Sequence, residues 1–335
     1  MDFKLTILGS ASALPASSRN PSAQALSVHG RLFLIDCGEG TQQRIRQEHL
    51  SFVKIEAVFI SHIHGDHCFG LFGLLSTMSL YHRVAPLHIY GPQNLGPILK
   101  FYMSYFGQDL GYEIVCHPLS CKEAQIIVGA AAGKAPSSAE NAPSDDSAAA
   151  IERQGPELSS PKPFFSEGRN DSGPTYESKF MQVTAFPLNH KIDCYGFRFD
   201  EVVTPRRNPW KPRSYAYVSD TAPFEELPGY VSGVDLLYHE ATYPAELQNK
   251  AEQYFHSTTA QAAECAKAAG AGKLLVGHFS SRVKDISLLE AECREIFPET
   301  IAVNDGDIFE IPYIREYEKM SSDYPGGPDL PDSTV

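Results

Sequence analysis

The chain has 335 residues, 42% of them apolar, and a net charge of −13 from 41 acidic and 28 basic side chains. That length allows one large α/β domain, no apolar run is long enough to span a bilayer, and the overall field repels polyanions, so a nucleic acid would have to be held by a local patch. The seven cysteines, Cys37, Cys68, Cys116, Cys121, Cys194, Cys265 and Cys293, are odd in number and include no C-x-x-C pair, which argues against a disulfide framework or a cysteine zinc knuckle and for a reducing compartment, by default the cytoplasm.

The N-terminal segment, Met1 to Leu8, lacks the tripartite pattern of a signal peptide and reads as a first strand over 3–8. Short apolar runs predict further strands over 31–36, 56–61, 87–90, 181–186, 195–199, 215–219, 235–239, 273–277 and 301–303. Helices are predicted over 40–48, 68–81, 93–104, 257–269 and 285–296, with Ser257 capping the fourth and Gly270 ending it. Strands mixed with helices throughout predict a layered α/β fold. Residues 130–177 are rich in Ala, Ser, Pro and Gly, carry eight acidic and four basic side chains, and offer few anchors beyond Phe164, Phe165 and Tyr176. Such a segment buries too little surface to offset its ordering entropy and predicts a disordered insertion. The expected organisation is one domain over 1–314, interrupted by that insertion, and a flexible tail over 315–335.

The densest chemical signal is Ser61-His62-Ile63-His64-Gly65-Asp66-His67, four potential metal ligands within six residues at the end of an apolar strand. Neutral imidazoles with a carboxylate suit zinc or a similar divalent ion. Three more strand-like runs end in a ligand type: 183–189 runs into His190, 215–219 into Asp220, and 273–277 into His278. Strands sharing one orientation would bring these ends to one edge of the sheets, a rigid platform for a site. His62, His64, His67, His190, His278, Asp66 and Asp220 are too many for one tetrahedral ion and suit two that share a carboxylate. The remaining His29, His49, His82, His88 and His117 join no motif and read as surface or packing residues.

Phe59-Ile60-Ser61-His62-Ile63-His64-Gly65-Asp66-His67 resembles the central motif of the metallo-β-lactamase superfamily. Ile35-Asp36-Cys37-Gly38-Glu39-Gly40-Thr41-Gln42, Ser219-Asp220-Thr221, His239-Glu240-Ala241-Thr242, His256-Ser257-Thr258-Thr259 with Gln261, and Gly277-His278-Phe279-Ser280 narrow the resemblance to the ribonuclease Z family of tRNA 3′-processing endonucleases. The motifs stand in family order from Thr6 to about Glu310, the insertion aside. The resemblance implies an αββα four-layer sandwich and two zinc ions per subunit, with manganese as a possible substitute. It implies that His62, His64 and His190 hold the first ion, Asp66, His67 and His278 the second, and that Asp220 bridges them. Asp66 would also accept the proton of the attacking water, and His256, held by Glu240, would stand at the leaving group. His239 alternates with Glu240 along its strand and reads as structural. Ser18-Arg19-Asn20 matches the family's N-terminal loop and reads as a substrate contact or a plain turn.

The implied activity is removal of the 3′ trailer from precursor tRNA, leaving a 3′-hydroxyl, by a homodimer. Family members usually carry a long basic arm between the counterparts of His190 and Asp220, whereas only 29 residues separate those positions here. The arm is reduced at most to a stub, Thr204 to Arg213, whose Arg206, Arg207, Trp210, Lys211 and Arg213 are candidate substrate contacts or a Pro-stiffened solvent loop. The missing arm and acidic charge favour an alternative, a phosphodiesterase acting on small or single-stranded nucleotide substrates such as cyclic nucleotides. The complete ligand set argues against a non-catalytic partner subunit.

Overall fold

The computed structural model describes residues 2–14, 18–107, 110–128, 165–167, 178–202 and 210–314. The first sheet holds β1 (Phe3–Gly9), β2 (Ala23–Val28), β3 (Arg31–Ile35), β4 (Ile55–Phe59), β5 (Leu87–Pro92), β6 (Ile114–Leu119), β8 (Phe165–Glu167) and β15 (Ile308–Glu310), in the order β15-β1-β2-β3-β4-β5-β6-β8. The second holds β7 (Gln125–Val128), β9 (Met181–Pro187), β10 (Tyr195–Glu201), β11 (Ser214–Val218), β12 (Leu236–Glu240), β13 (Leu274–Gly277) and β14 (Thr300–Ala302), in the order β14-β13-β12-β11-β10-β9-β7. Helices α1 (Thr41–Gln47), α2 (Gly65–Cys68), α3 (Gly70–Leu80) and α4 (Leu95–Phe106) come from the first half of the chain, and α5 (Leu227–Tyr230), α6 (Gln248–Tyr254), α7 (Thr259–Ala269) and α8 (Ile286–Ile296) from the second.

Alternation along the strands sorts their side chains into three cores. Phe33, Ile35, Ala57 and Phe59 of the first sheet meet Phe197, Phe199, Tyr215 and Tyr217 of the second in the central core. Phe59 lies 5.4 Å from the ring of Phe197 and edge-on to Phe199 at 5.3 Å. Intervening residues such as Leu34 and Val58 face outward against Leu71, Leu74 and Leu99 of α3 and α4. On the other side Ala216 and Val218 face Ala262, Ala266 and Leu289 of α7 and α8. The result is the expected four-layer αββα sandwich.

Two differences from the predicted elements have local causes. The helix expected over 68–81 begins three residues earlier and is divided at Phe69 into α2 and α3, so Asp66 and His67 are helical. Thr258, not Ser257, caps α7: its hydroxyl accepts from Gln261 N, and the Gln261 side chain accepts from Thr258 N. Ser257 instead donates its hydroxyl to Thr221 O at 2.7 Å. Of the segment 130–177, residues 165–167 form a short strand parallel to β6. The rest of that segment and the tail lie outside the described residues. Among the described residues no helix is long and apolar enough to cross a membrane.

Candidate metal centre

β11, β12 and β13 are mutually parallel, and β9 runs the same way because two antiparallel steps separate it from β11. Their C-terminal ends therefore share one edge, where loops present His190, Asp220 and His278, with Glu240 as the last residue of β12. The loop after β4, with His62 and His64, and the α2 turn that follows it, with Asp66 and His67, come to the same place from the other sheet.

The donor atoms fall into two groups. His62 Nε2 lies 3.0 Å from His64 Nδ1, His190 Nε2 lies 3.4 Å from His64 Nδ1, and Asp220 Oδ2 lies 3.5 Å from His62 Nε2 and 3.9 Å from His190 Nε2. In the second group His67 Nε2 lies 3.2 Å from His278 Nε2, Asp66 Oδ2 is 3.5 and 3.4 Å from them, and Asp220 Oδ1 is 3.5 and 3.3 Å from them. Donors at about 2.0–2.1 Å from a tetrahedral zinc sit roughly 3.4 Å apart, the edge of that tetrahedron. Both groups have this shape, and Asp220 lends one oxygen to each.

The outer partners decide which nitrogens are free. His190 Nδ1 donates to Phe255 O at 3.0 Å, and His67 Nδ1 donates to Asp36 Oδ2 at 2.7 Å. Thr242 Oγ1 gives its single proton to Glu240 Oε2 at 2.8 Å, so it accepts from His278 Nδ1 at 2.9 Å. The Nε2 atoms of His67, His190 and His278 are thereby left as acceptors facing the cluster. Acceptors packed this closely repel unless positive charge lies between them. Consistent with that demand, burial alone would depress His67, yet Asp220, Asp66 and Asp36 push it up to about 10. Burial and the neighbouring imidazoles hold His62 well below its ordinary value. Asp220 Oδ1 is buried and has no hydrogen-bond partner. An orphaned carboxylate oxygen at the meeting point of two donor tetrahedra fits a divalent ion on either side.

Asp36 was quoted only as part of a motif, and its role in the site comes from the fold. It adopts φ 54°, its N–H donates to Phe59 O at 2.8 Å, and its carboxylate accepts from Ser61 N at 2.7 Å, Ser61 Oγ at 2.9 Å, Tyr217 Oη at 2.6 Å and His67. These bonds hold the histidine-bearing loop against β11. Glu240 is buried and accepts on Oε1 from Thr221 N, Ser257 N and His256 Nδ1, the last at 3.0 Å. Burial opposes its ionisation, but His256 and the other donors hold it below its ordinary value; in return Glu240, with Asp220, raises His256 against its own desolvation. His256 lines the cleft above the donor cluster. His239 is buried with Nδ1 2.7 Å from Glu240 O. Arg19 lies over the Phe279 ring at 5.5 Å, and Asn20 donates its N and Nδ2 to Asp305.

The described residues of the stub, 210–213, are not at this edge. Residues 210–213 precede β11, whereas Asp220 follows it, so the two lie at opposite ends of one strand. Arg213 is corrected from substrate contact to structural ion: it is 3% exposed, donates Nε and an Nη to Glu201 at 3.0 and 2.8 Å, and lies 3.7 Å over the Tyr313 ring. Lys211 pairs with Asp235 at 2.7 Å, and Trp210 packs 5.5 Å from the Tyr313 ring. Arg206 and Arg207 lie outside the described residues.

Comparison with known proteins matches this architecture. A family model described as anti-Pycsar protein Apyc1 matches residues 3–101. Ribonuclease Z of Bacteroides fragilis is 33% identical, the alignment covering 89% of this chain and 96% of the relative; ribonuclease Z of Porphyromonas gingivalis is 31% identical over 90% and 97%. The crystal structure of human tRNase Z, short form, superposes with a TM-score of 0.65 at 27% identity, covering 92% of this chain and 99% of that one. On that identity and coverage, with the same fold and a donor cluster shaped for divalent ions, the chain belongs to the ribonuclease Z family and is a metal-dependent phosphodiesterase.

Proposed function

We propose that this chain is an endoribonuclease that cuts the 3′ trailer from precursor tRNA, leaves a 3′-hydroxyl on the tRNA, and uses two zinc ions per subunit, with manganese able to replace them. The observation that carries the reading is Asp220, whose two oxygens complete two separate donor tetrahedra. His62, His64 and His190 would hold one ion and Asp66, His67 and His278 the other. Divalent ions there supply Lewis acidity, drawing charge from the phosphoryl oxygens and easing deprotonation of water.

The protein's own groups supply the rest. Asp66 is held ionised, in spite of burial, by His67 and His278 and by the Ala13 N–H that donates to its Oδ2 at 2.6 Å, and its carboxylate accepts the proton of the attacking water. His256, whose proton affinity Glu240 and Asp220 raise against its burial, donates a proton to the departing oxygen. Glu240 acts through His256 by fixing its ring and charge.

Only 29 residues separate His190 from Asp220, a span that supports the reduced arm and with it the second reading, a phosphodiesterase of small or single-stranded nucleotide substrates. The deciding assay gives metal-loaded protein a precursor tRNA and, separately, bis-p-nitrophenyl phosphate. Release of an intact trailer establishes the first reading. Hydrolysis of the ester without tRNA processing at micromolar enzyme overturns it.

A homodimer in the cytoplasm belongs to the same proposal. Ile98, Phe101 and Tyr105 form an exposed apolar face on α4, and all seven cysteines are free. Sedimentation at micromolar protein tests the dimer, and a monomer there refutes it.

A further inference from the structure

The cleft above the donor cluster has a volume of about 830 Å³. One of its walls is built from α6 and the residues after His190 and Thr242. Lys250 and Tyr254 stand one helical turn apart on α6 and both line the cleft, together with Lys191 and Tyr243. Lys191 Nζ lies 4.8 Å from the Tyr254 ring centre, and Lys250 Nζ lies 5.3 Å from that of Tyr243. Among the described residues neither ammonium is paired with a carboxylate, unlike Lys211 of the stub.

A lysine on a surface usually samples many rotamers; a ring beneath the ammonium restrains it without neutralising it. Two restrained, uncompensated cations in the same cleft are the local basic patch that a chain of net charge −13 needs to hold a polyanion. Tyr254 is also 42% exposed, leaving ring surface for a base.

We infer that this wall is a cradle for single-stranded RNA beside the cut: Lys191 and Lys250 take phosphates flanking the scissile one, and Tyr254 stacks on a neighbouring base. The inference rests on the endonuclease reading of the same site and names its grip, which comes from the catalytic layer instead of an arm. A duplex keeps its base faces stacked and does not offer them to Tyr254. A cyclic mononucleotide has one phosphate, already engaged at the donor cluster, and leaves the two lysines without a ligand.

The test compares the metal-loaded full chain with Lys191→Gln/Lys250→Gln, with Tyr254→Ala, and with a charge-matched Lys267→Gln/Lys273→Gln control, on a short single-stranded RNA and on precursor tRNA. The cleft pair should raise KM and flatten the log–log salt dependence of kcat/KM by about 1.4, two contacts at about 0.7 each. Tyr254→Ala should raise KM roughly tenfold. A salt slope unchanged in the cleft pair, or flattened equally in the control, overturns the cradle while tRNA processing by the unaltered chain still stands. RNA left uncut by the unaltered chain, with bis-p-nitrophenyl phosphate hydrolysed, overturns the cradle and the endonuclease reading together. Single-stranded RNA cut with the expected slope change, but precursor tRNA untouched, refutes the tRNA reading and keeps the cradle.

Discussion

At one end of β10 and β11, buried Glu201 and Arg213 meet half-buried His29 and Tyr313; at the other end, buried Asp220 meets the imidazoles of His62, His67 and His278, also buried, and half-buried His64, His190 and Asp66. In the first cluster every strong group finds a protein partner. Glu201 Oε1 accepts from His29 Nε2 at 2.7 Å, Arg213 at 2.8 Å and Tyr313 Oη at 3.1 Å, its Oε2 accepts from Arg213 N and Nε, and the remaining Arg213 Nη donates to Ile311 O. In the second cluster the outward nitrogens of His62, His67, His190 and His278 have partners and the inward ones face each other, with Asp220 Oδ1 left alone. A buried polar cluster that closes on itself holds strands together. One that closes only on its outer side is a receptor for cations.

The comparison breaks most visibly at the open cluster. Asp66→Ala and Asp220→Asn should each cut hydrolysis of bis-p-nitrophenyl phosphate at least about 10³-fold and lower the bound metal measured by elemental analysis, while circular dichroism stays that of a folded chain. Full turnover in either variant removes that residue from the centre.

The closed cluster should respond in stability. Arg213→Met strands Glu201 without its cation and should cost about 3–5 kcal/mol in denaturant unfolding, with metal content retained. Adding Glu201→Leu should recover most of the loss; no recovery would show that Arg213 acts through packing on Tyr313 and Phe3 instead.

A finer test asks whether Thr242 carries the link between Glu240 and His278. Thr242→Val removes the hydroxyl that fixes the His278 ring and should weaken metal binding by about 10- to 100-fold in a competition titration, whereas Thr242→Ser should restore it. Equal affinities in both variants would end this role.

The smallest effect is pH dependence. Burial alone would raise the Glu201 pKa, but the hydrogen bonds and charge of Arg213 and the bond from His29 hold it below its ordinary value. A depressed carboxylate stabilises the fold at pH above its unfolded pKa, about 4.3, and that stability is lost as pH falls through the folded value. Unfolding of metal-free protein should therefore show an acid-side loss that Arg213→Met/Glu201→Leu lacks. Parallel acid profiles in the two proteins would contradict it.

The two clusters were not equally legible in the sequence. His62 to His67 crowd four ligand types onto one loop, a local signal needing no tertiary information, and His190, Asp220 and His278 were found because each follows a short apolar strand. The Glu240 and His256 pairing came from the family resemblance. Arg213 was misread because a basic, Pro-rich stretch has the composition of a solvent loop; its partner Glu201 sits opposite only once β10 and β11 pair. β2 was missed because Ala23–Val28 is buried almost throughout and shows no polar alternation, and β6 because its Pro118 breaks the strand pattern. α6 is polar and only seven residues long, with Ala251 its sole buried side chain, so no apolar period announces it.

The donors of the open cluster come from both halves, His62, His64, Asp66 and His67 from the loop and α2 turn after β4 and His190, Asp220 and His278 from the ends of the second sheet. Ions bound among them rivet the two halves of the sandwich at one rim, where the chain has no covalent cross-link. Metal supply is then also a control on unfolding: free metal at a hundred times its dissociation constant adds about 2.7 kcal/mol to the folded state. Starved of metal, the sandwich would part first along that rim, the edge where it works.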